Sequence, residues 1–351
     1  MCRRGFFMRV GYVAVVGRPN VGKSTLLNHM VGQKVSITSR KPQTTRHRVL
    51  GIKTTEEAQL IFVDTPGIHN ADHRPMNRLM NETAFQSMLG VDVVLWVVEA
   101  LKWLPDDEKV LARLSDLQCP VLLVINKIDQ LPRKEALLPF IEEIAEKYSF
   151  AGILPISALK FNQLDHLEQE VSRYLPEGEL VFPNDWVTDK SMRFLVSEIV
   201  REKIIRQLGE ELPYEIAVEI EQFKEDDRLA DIGAVIFVQR EGQKRIVIGA
   251  KGARLKSIGS SARVDIEKLL DKKVMLRLWV KVKEGWTDNE RFVVDVALSN
   301  GPIISGLTVE ADLAVETEEG DEQVLSAEDV VTDVVTLLDA EQVLEPNKDP
   351  S

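Results

Sequence analysis

Eight residues, Gly17-Arg18-Pro19-Asn20-Val21-Gly22-Lys23-Ser24, constrain this chain more than any other feature. They fit G-x-x-x-x-G-K-[ST] and stand between an apolar run at 12–16 and a helical-looking stretch that opens at Thr25. Glycines at these spacings let backbone N–H groups wrap phosphate oxygens. Lys23 brings a point charge to the outer phosphates, and Ser24 offers a hydroxyl to Mg²⁺. A strand running into such a loop and then a helix belongs to an open α/β sheet, where ligands bind at the carboxyl ends of strands. The chain keeps this style to about residue 175. Parallel strands are predicted at 12–16, 60–63, 91–98, 121–125 and 153–156, with an antiparallel edge at 47–53.

The loops after those strands carry the chemistry. Asp64-Thr65-Pro66-Gly67 places a carboxylate where it can hold Mg²⁺ and a Gly67 N–H where it can sense a γ-phosphate. Asn126-Lys127-Ile128-Asp129 selects the base, because Asp129 can accept from both N1–H and the exocyclic amine of guanine, and adenine offers neither donor there. Two charge-assisted bonds of roughly 1.5–3 kcal/mol each disfavour ATP by about two to four orders of magnitude. Ser157-Ala158-Leu159 is expected to add a backbone N–H toward the guanine carbonyl. Between the first two loops, Pro42-Gln43-Thr44-Thr45-Arg46 reads as a switch segment, with Thr45 preferred over Thr44 as a Mg²⁺ ligand beside Ser24 and Asp64. The catalytic reading rests on Lys23, Thr45, Gly67 and Asn20. Asn20 either ligates a monovalent cation such as K⁺ beside the phosphates or only shapes the loop. Ile68 stands where the best-known switch GTPases carry a water-orienting glutamine, so turnover is expected to be slow or assisted.

Pro176, Gly178, Pro183 and Asn184 break the pattern and read as a linker over residues 176–190. A helix follows at 191–208, with Met192, Leu195, Val196, Ile199 and Leu208 on one face, then strands at 215–221 and 234–239, helical segments to about 270 and a strand at 274–282. The order αββααβ is that of an α+β type II KH fold. The turn Gly249-Ala250-Lys251-Gly252 then reads as the G-x-x-G that lets a single-stranded nucleic-acid backbone approach a helix start. Lys244, Arg245, Ile248, Arg254 and Lys256 flank it. Residues 240–283 hold 13 Lys and Arg against four acids, a stripe of +9.

The net charge of −12 hides that stripe. Residues 301–351 hold 14 carboxylates against Lys348 alone, a segment charge of −13, so the other 300 residues carry +1. This acidic tail, residues 299–351, is expected to be largely disordered, with a short helix at 326–344. Its tethered charge is expected to compete with RNA for the basic stripe. Cys2 and Cys119 match no disulfide or metal spacing, and the histidines at 29, 47, 69, 73 and 166 show no ligand-like arrangement. The first residues read as a short extension, 1–8, without signal-peptide character, and no run approaches the length of a spanning helix.

These residues together resemble the bacterial Era GTPases over about residues 9–295. The resemblance is carried by the eight-residue loop followed by Thr25-Leu26-Leu27-Asn28, by Gln43-Thr44-Thr45-Arg46, by the Asp64, Asn126 and Ser157 motifs, and by residues 247–256. Glu211-Leu212-Pro213-Tyr214 and Leu278-Trp279-Val280-Lys281-Val282-Lys283 also match. It implies a GTPase domain at 9–175 and a KH domain at 191–298. It also implies a cytoplasmic, monomeric protein that binds GTP and GDP with Mg²⁺, binds small-subunit ribosomal RNA and acts in assembly of that subunit. Peripheral association with the inner face of the cell membrane is implied as well, as is a cycle in which GTP frees the KH surface and hydrolysis resets it. A hydrophobic residue at Ile68 suits the family. The acidic tail departs from it, since family chains end soon after the KH domain. A GTP-gated, non-hydrolysing scaffold that recruits a protein partner is the alternative reading.

Overall fold

The computed structural model describes residues 8–39, 41, 44–46, 48–67, 84–85, 87–208 and 216–285. Pro42, Gln43, His47, Ile68, His69, His73, the 211–214 phrase, the end of the KH segment and the acidic tail with its predicted helix lie outside the described residues.

The first half is built from β1 Met8–Val16, α1 Lys23–Val31, β2 Val49–Thr54, β3 Ala58–Asp64, β4 Val93–Glu99, α2 Pro105–Leu114, β5 Val121–Asn126, α3 Leu137–Ala145, β6 Gly152–Pro155, α4 Leu164–Tyr174 and β7 Glu177–Gly178. Its sheet runs β2-β3-β1-β4-β5-β6, parallel except for β2, which pairs antiparallel with β3, and the short β7 adds an antiparallel pairing to the start of β1. Both faces are covered, and this explains why the strands read as unbroken apolar runs. Val13 and Val15 of β1 pack with Leu26 and Leu27 of α1 and Leu167 of α4. Ala14 and Val16 turn to the opposite face, toward Val110 of α2 and Ile144 of α3. Cys119 packs half-buried against this second cluster, where burial raises its thiol pKa.

Two expectations change here. Met8 belongs to β1 and pairs with Gly178, so the N-terminal extension stops short of it. The segment predicted as a linker is docked on the sheet. Buried Gln59 donates to Phe182 O at 2.8 Å and accepts from the Val181 and Phe182 N–H groups. Ile52 N–H on edge strand β2 donates to Val187 O at 2.9 Å. A segment rich in proline and glycine thereby covers an edge that would otherwise present unpaired backbone groups.

The second half is α5 Met192–Gln207, β8 Ile216–Glu225, β9 Leu229–Val238, α6 Glu241–Ile248, α7 Ala253–Leu270 and β10 Lys273–Val282, the type II KH order. Its sheet runs β10-β9-β8, with β9 and β10 parallel over their full length. Ser191 caps α5 by accepting from Phe194 N–H, an interaction worth about 1 kcal/mol. The single apolar face predicted for α5 is incomplete. Met192 is exposed, whereas the charged Arg201, Glu202 and Lys203 are buried. The helix lies between its own sheet and the switch segment of the first half, so charged residues are enclosed along with apolar ones.

Candidate nucleotide and nucleic-acid sites

The Gly17–Ser24 loop leaves β1 at the point where β3 and β4 flank it, the crevice where the strand order reverses. Gly22 has φ 105°, and a Cβ there would lie 2.3 Å from Asn126 Nδ2, so both backbone hand and space demand glycine. Asn126 exploits the approach: its Nδ2 donates to Val21 O at 2.8 Å, and its Oδ1 accepts from Ala158 N–H at 3.0 Å. One side chain therefore ties the phosphate loop, the Asn126–Asp129 loop and the Ser157 loop together. Asn20 is exposed at φ 67° on the rim of the cleft, a left-handed conformation that asparagine tolerates.

Lys23 is buried, and its Nζ donates to Gly17 O at 2.9 Å and Arg18 O at 3.0 Å. Burial pulls its pKa down to about 8 against the opposing charge of Asp64. An anionic phosphate arriving in the cleft favours the charged form.

Ser24, Thr45 and Asp64, the residues expected to hold Mg²⁺, lie within hydrogen-bonding reach of one another. Asp64 Oδ2 accepts from Ser24 Oγ at 2.8 Å and from Thr45 Oγ1 at 3.4 Å, and the two hydroxyls lie 3.0 Å apart. Thr44 is not part of this group, because its hydroxyl donates to Lys41 O at 2.6 Å and contacts Ser39 Oγ. Asp64 Oδ1 is buried without a hydrogen-bond partner, an arrangement costly for a carboxylate unless a cation or water completes it. Burial raises the Asp64 pKa, opposed by Ser36, Lys23, Ser24 and Thr45. These groups fit a magnesium ion: hard oxygen ligands converge on a carboxylate with an unfilled lone pair. Gly67 closes the same cleft, with the space beside its Cα only 3.0 Å from Pro19, and Thr65 Oγ1 braces the loop on Val15 O at 2.9 Å.

At the base end, Asp129 is exposed and its Oδ1 accepts from Ser157 Oγ at 2.5 Å, which fixes the carboxylate's rotation. Ile128 is buried beneath it. The N–H groups of Ser157 and Ala158 already donate to Asn162 O and Asn126 Oδ1. The one backbone N–H that this motif was expected to turn toward guanine is therefore not a free donor at Ser157 or Ala158, and Leu159 is exposed at the loop tip.

Sequence reasoning missed three participants. Ser36 donates to Asp64 Oδ2 at 2.7 Å, in a loop that Asn28 holds by accepting from the Val35 and Ser36 N–H groups. Glu99, at the end of β4, and Asp107, in the first turn of α2, both bind the buried Arg18 side chain. A carboxylate at the carboxyl end of a parallel strand was the available signal for Glu99.

The G-x-x-G turn joins α6 to α7; the sequence reading had placed all the helical segments after it. Gly249 has φ 73°, and a Cβ there would sit 2.8 Å from Arg254 Cβ. Lys251 and Ala250 are exposed at the tip, and the backbone of Gly252 leads directly into the first N–H groups of α7. Arg245 and Lys256 are exposed, whereas Lys244 pairs with Glu241 at 3.5 Å and Ile248 is half-buried. Arg254 is partly spent on structure, donating to Ile246 O at 2.6 Å.

The two halves meet at the switch segment. Glu202 of α5 accepts from Thr38 N–H at 3.0 Å and pairs with Lys34 at 2.6 Å, and Arg206 donates to Thr38 O at 2.9 Å. Arg201 donates to Thr44 O, Lys41 to Leu208 O, and Arg46 to Ile216 O at 2.9 Å. Thr45 thus lies between residues bonded to the second half on either side. Burial would raise the Glu202 pKa, but Lys34, the Thr38 N–H and Arg206 outweigh it and hold the carboxylate below its usual range.

Fold and site together define a P-loop GTPase joined to a KH domain. GTPase Era of Marinobacter nauticus is 56% identical over 292 residues, 83% of this chain and 96% of that protein, and GTPase Era of Pseudomonas aeruginosa is 56% identical over 283 residues, 81% and 93% respectively. The chain belongs to the Era family of GTPases. Family profiles agree, that described as 50S ribosome-binding GTPase matching residues 12–127 and that described as KH domain matching 211–287. Among solved structures, a variant of Aquifex aeolicus Era bound to GDP.AlF4⁻ matches with TM-score 0.79 and 46% identity, covering 82% of this chain and 99% of that one. Era in complex with MgGDPNP and nucleotides 1506–1542 of 16S ribosomal RNA matches with the same score and identity, over 82% and 98%.

Proposed function

We propose that this chain is a GTP-hydrolysing switch that binds the 3′ region of small-subunit ribosomal RNA through its KH domain and acts in assembly of that subunit. One observation carries the coupling of the two activities. The segment presenting Thr45 to Ser24 and Asp64 is held by Arg201, Glu202 and Arg206 of the first KH helix. Ser24, Thr45 and Asp64 would hold Mg²⁺, which would supply positive charge against the negative charge of the outer phosphates. Lys23 meets the same charge from the loop side, Gly67 offers its N–H to the γ-phosphate, and Asp129, set by Ser157, reads guanine. Drawing Thr45 toward the phosphates pulls on Thr44 and Arg46, and through them on Arg201 of α5 and Ile216 of β8. In this reading GTP frees the KH surface for RNA, and hydrolysis resets it.

RNA is received at the G-x-x-G turn, supported by the exposed Lys251, Arg245 and Lys256 and by the complex of the related Era with 16S RNA. The protein works as a cytoplasmic monomer with peripheral attachment to the inner membrane face, and K⁺ beside Asn20 assists turnover; the family resemblance supports the first two and the rim position of Asn20 the last. The test is GTP turnover in K⁺ and then Na⁺ buffer, with and without 3′ fragments of small-subunit RNA. RNA stimulation that disappears when Gly249 and Gly252 are replaced by Asp supports the proposal. Tight GTP binding with turnover indifferent to RNA would overturn it in favour of the scaffold.

A further inference from the structure

A second tie, independent of Asn126, runs between the loop for the phosphates and the loop for the base. Arg18 contributes nothing to the phosphate cradle through its side chain, which folds back into the protein. Its Nε donates to Asp107 Oδ2 at 3.1 Å, and its Nη2 to Glu99 Oε2 at 3.4 Å. The side chains of Arg18 and Glu99 are each only 9% exposed and that of Asp107 is fully buried. The same Glu99 oxygen accepts from Lys127 Nζ at 2.7 Å, and its other oxygen pairs with Lys102. At the far end, Arg18 O accepts from Lys23 Nζ at 3.0 Å. A continuous path therefore leads from Lys23 through Arg18 and Glu99 to Lys127, two residues before Asp129.

Two facts argue that this path does more than fill space. Lys127 holds a left-handed backbone, φ 66° and ψ 29°, which a side chain adopts at a cost of about 1–2 kcal/mol. Something must hold it there, and a buried carboxylate 2.7 Å from its Nζ is placed to do so. Second, a buried ion pair is a poor way to gain stability alone, since apolar residues of similar volume often serve as well. What it supplies is a fixed separation between two charged groups on different loops. Those loops grip opposite ends of one ligand, so fixing them beforehand reduces the ordering cost of binding.

We propose that Glu99 is a positioning residue that holds the Lys127–Asp129 loop in register with the phosphate loop, so that guanine recognition depends on it although it touches no part of the nucleotide. The proposal rests on the guanine-nucleotide reading above. The measurement is affinity for GDP and for IDP, which lacks the exocyclic amine, in wild type, Glu99→Gln and Asp107→Asn, together with the melting temperature of each.

In Glu99→Gln, GDP affinity falls roughly tenfold, the size of one lost charge-assisted bond, and the GDP:IDP preference falls several-fold. Turnover at saturating GTP stays within about twofold. Asp107→Asn touches Arg18 but not Lys127, so it lowers the melting temperature and leaves the preference unchanged. A preference unchanged in folded Glu99→Gln overturns the proposal, as does an equal loss in both variants that follows their melting temperatures. Should Glu99→Gln not fold, Glu99→Asp, which keeps the charge but shortens the reach to Lys127, is judged by the same ratio. Failure of the wild type to bind GDP at all would instead refute the nucleotide reading itself.

Discussion

Replacing Glu202 by alanine tests whether the two halves are energetically joined at the switch segment. Its side chain is fully buried, and its oxygens receive Lys34 at 2.6 Å, Lys203 at 3.2 Å, Arg206 at 2.9 Å and Thr38 N–H at 3.0 Å. Removing one partner of a buried charge cluster costs about 3–5 kcal/mol. The lower end applies here, because the cations keep other acceptors: Lys34 and Lys203 retain Asp265, and Arg206 retains Thr38 O. For domains of this size, about 3 kcal/mol corresponds to a fall in melting temperature of roughly 6–12 °C. Differential scanning calorimetry is the assay. The expected result is a lowered transition that splits in two, because the halves lose the ion pair to Lys34 and the bond from Thr38 N–H. Glu202→Gln, which keeps the shape and an acceptor for Thr38, should lose about half as much. A melt of Glu202→Ala superimposable on wild type would refute the reasoning, and with it the claim that α5 reports on the switch.

Acid should weaken the same contact. In Glu202 and Asp265 the upward push of burial is outweighed, by Lys34 in the first and by Lys203 and Lys34 in the second, so both folded pKa values lie below their unfolded ones. Their stabilisation is complete above about pH 4.5 and is lost as pH falls through the folded values, so melting temperature should drop below that pH, less steeply in Glu202→Gln. Replacing Asp64 by Asn should cut GTP turnover at least about a hundredfold and abolish the tightening of GTP binding by Mg²⁺. Turnover within threefold of wild type, measured by phosphate release, would refute the metal assignment. Removing residues 301–351 should raise RNA affinity, most at low salt, because 14 tethered carboxylates no longer compete for the +9 stripe. A titration at low salt that shows equal affinities would refute that competition.

The nucleotide loops were legible because each is a short contiguous motif at a strand end, where backbone geometry and side-chain chemistry are settled locally. Thr45 was distinguishable from Thr44 only by its neighbours in the motif, and the geometry turns the two hydroxyls to different partners. Ser36 and Glu202 were not legible, and Glu99 was marked only by its place at the carboxyl end of a parallel strand. Each acquires its role from a partner distant in sequence, and a lone serine or glutamate beside an apolar run carries no local mark of that pairing. The 176–190 segment was misjudged for a related reason. Proline and glycine signal a break in helix or strand, but nothing in composition shows that Glu177 and Gly178 pair with Arg9 and Met8, or that buried Gln59 holds Phe182. The single apolar face predicted for α5 was incomplete because amphipathicity describes a helix with one packed side, and this helix has two.

The placement of Thr45 between residues bonded to α5 on one side and to β8 on the other has a thermodynamic corollary. If nucleotide state alters the free energy of those bonds, linkage requires that whatever binds the KH side alter nucleotide affinity by the same factor. RNA bound there would then shift the affinity for nucleotide as much as nucleotide shifts the affinity for RNA. A binding partner that tightens around α5 would set how strongly GDP is held, without touching the cleft in which GDP sits.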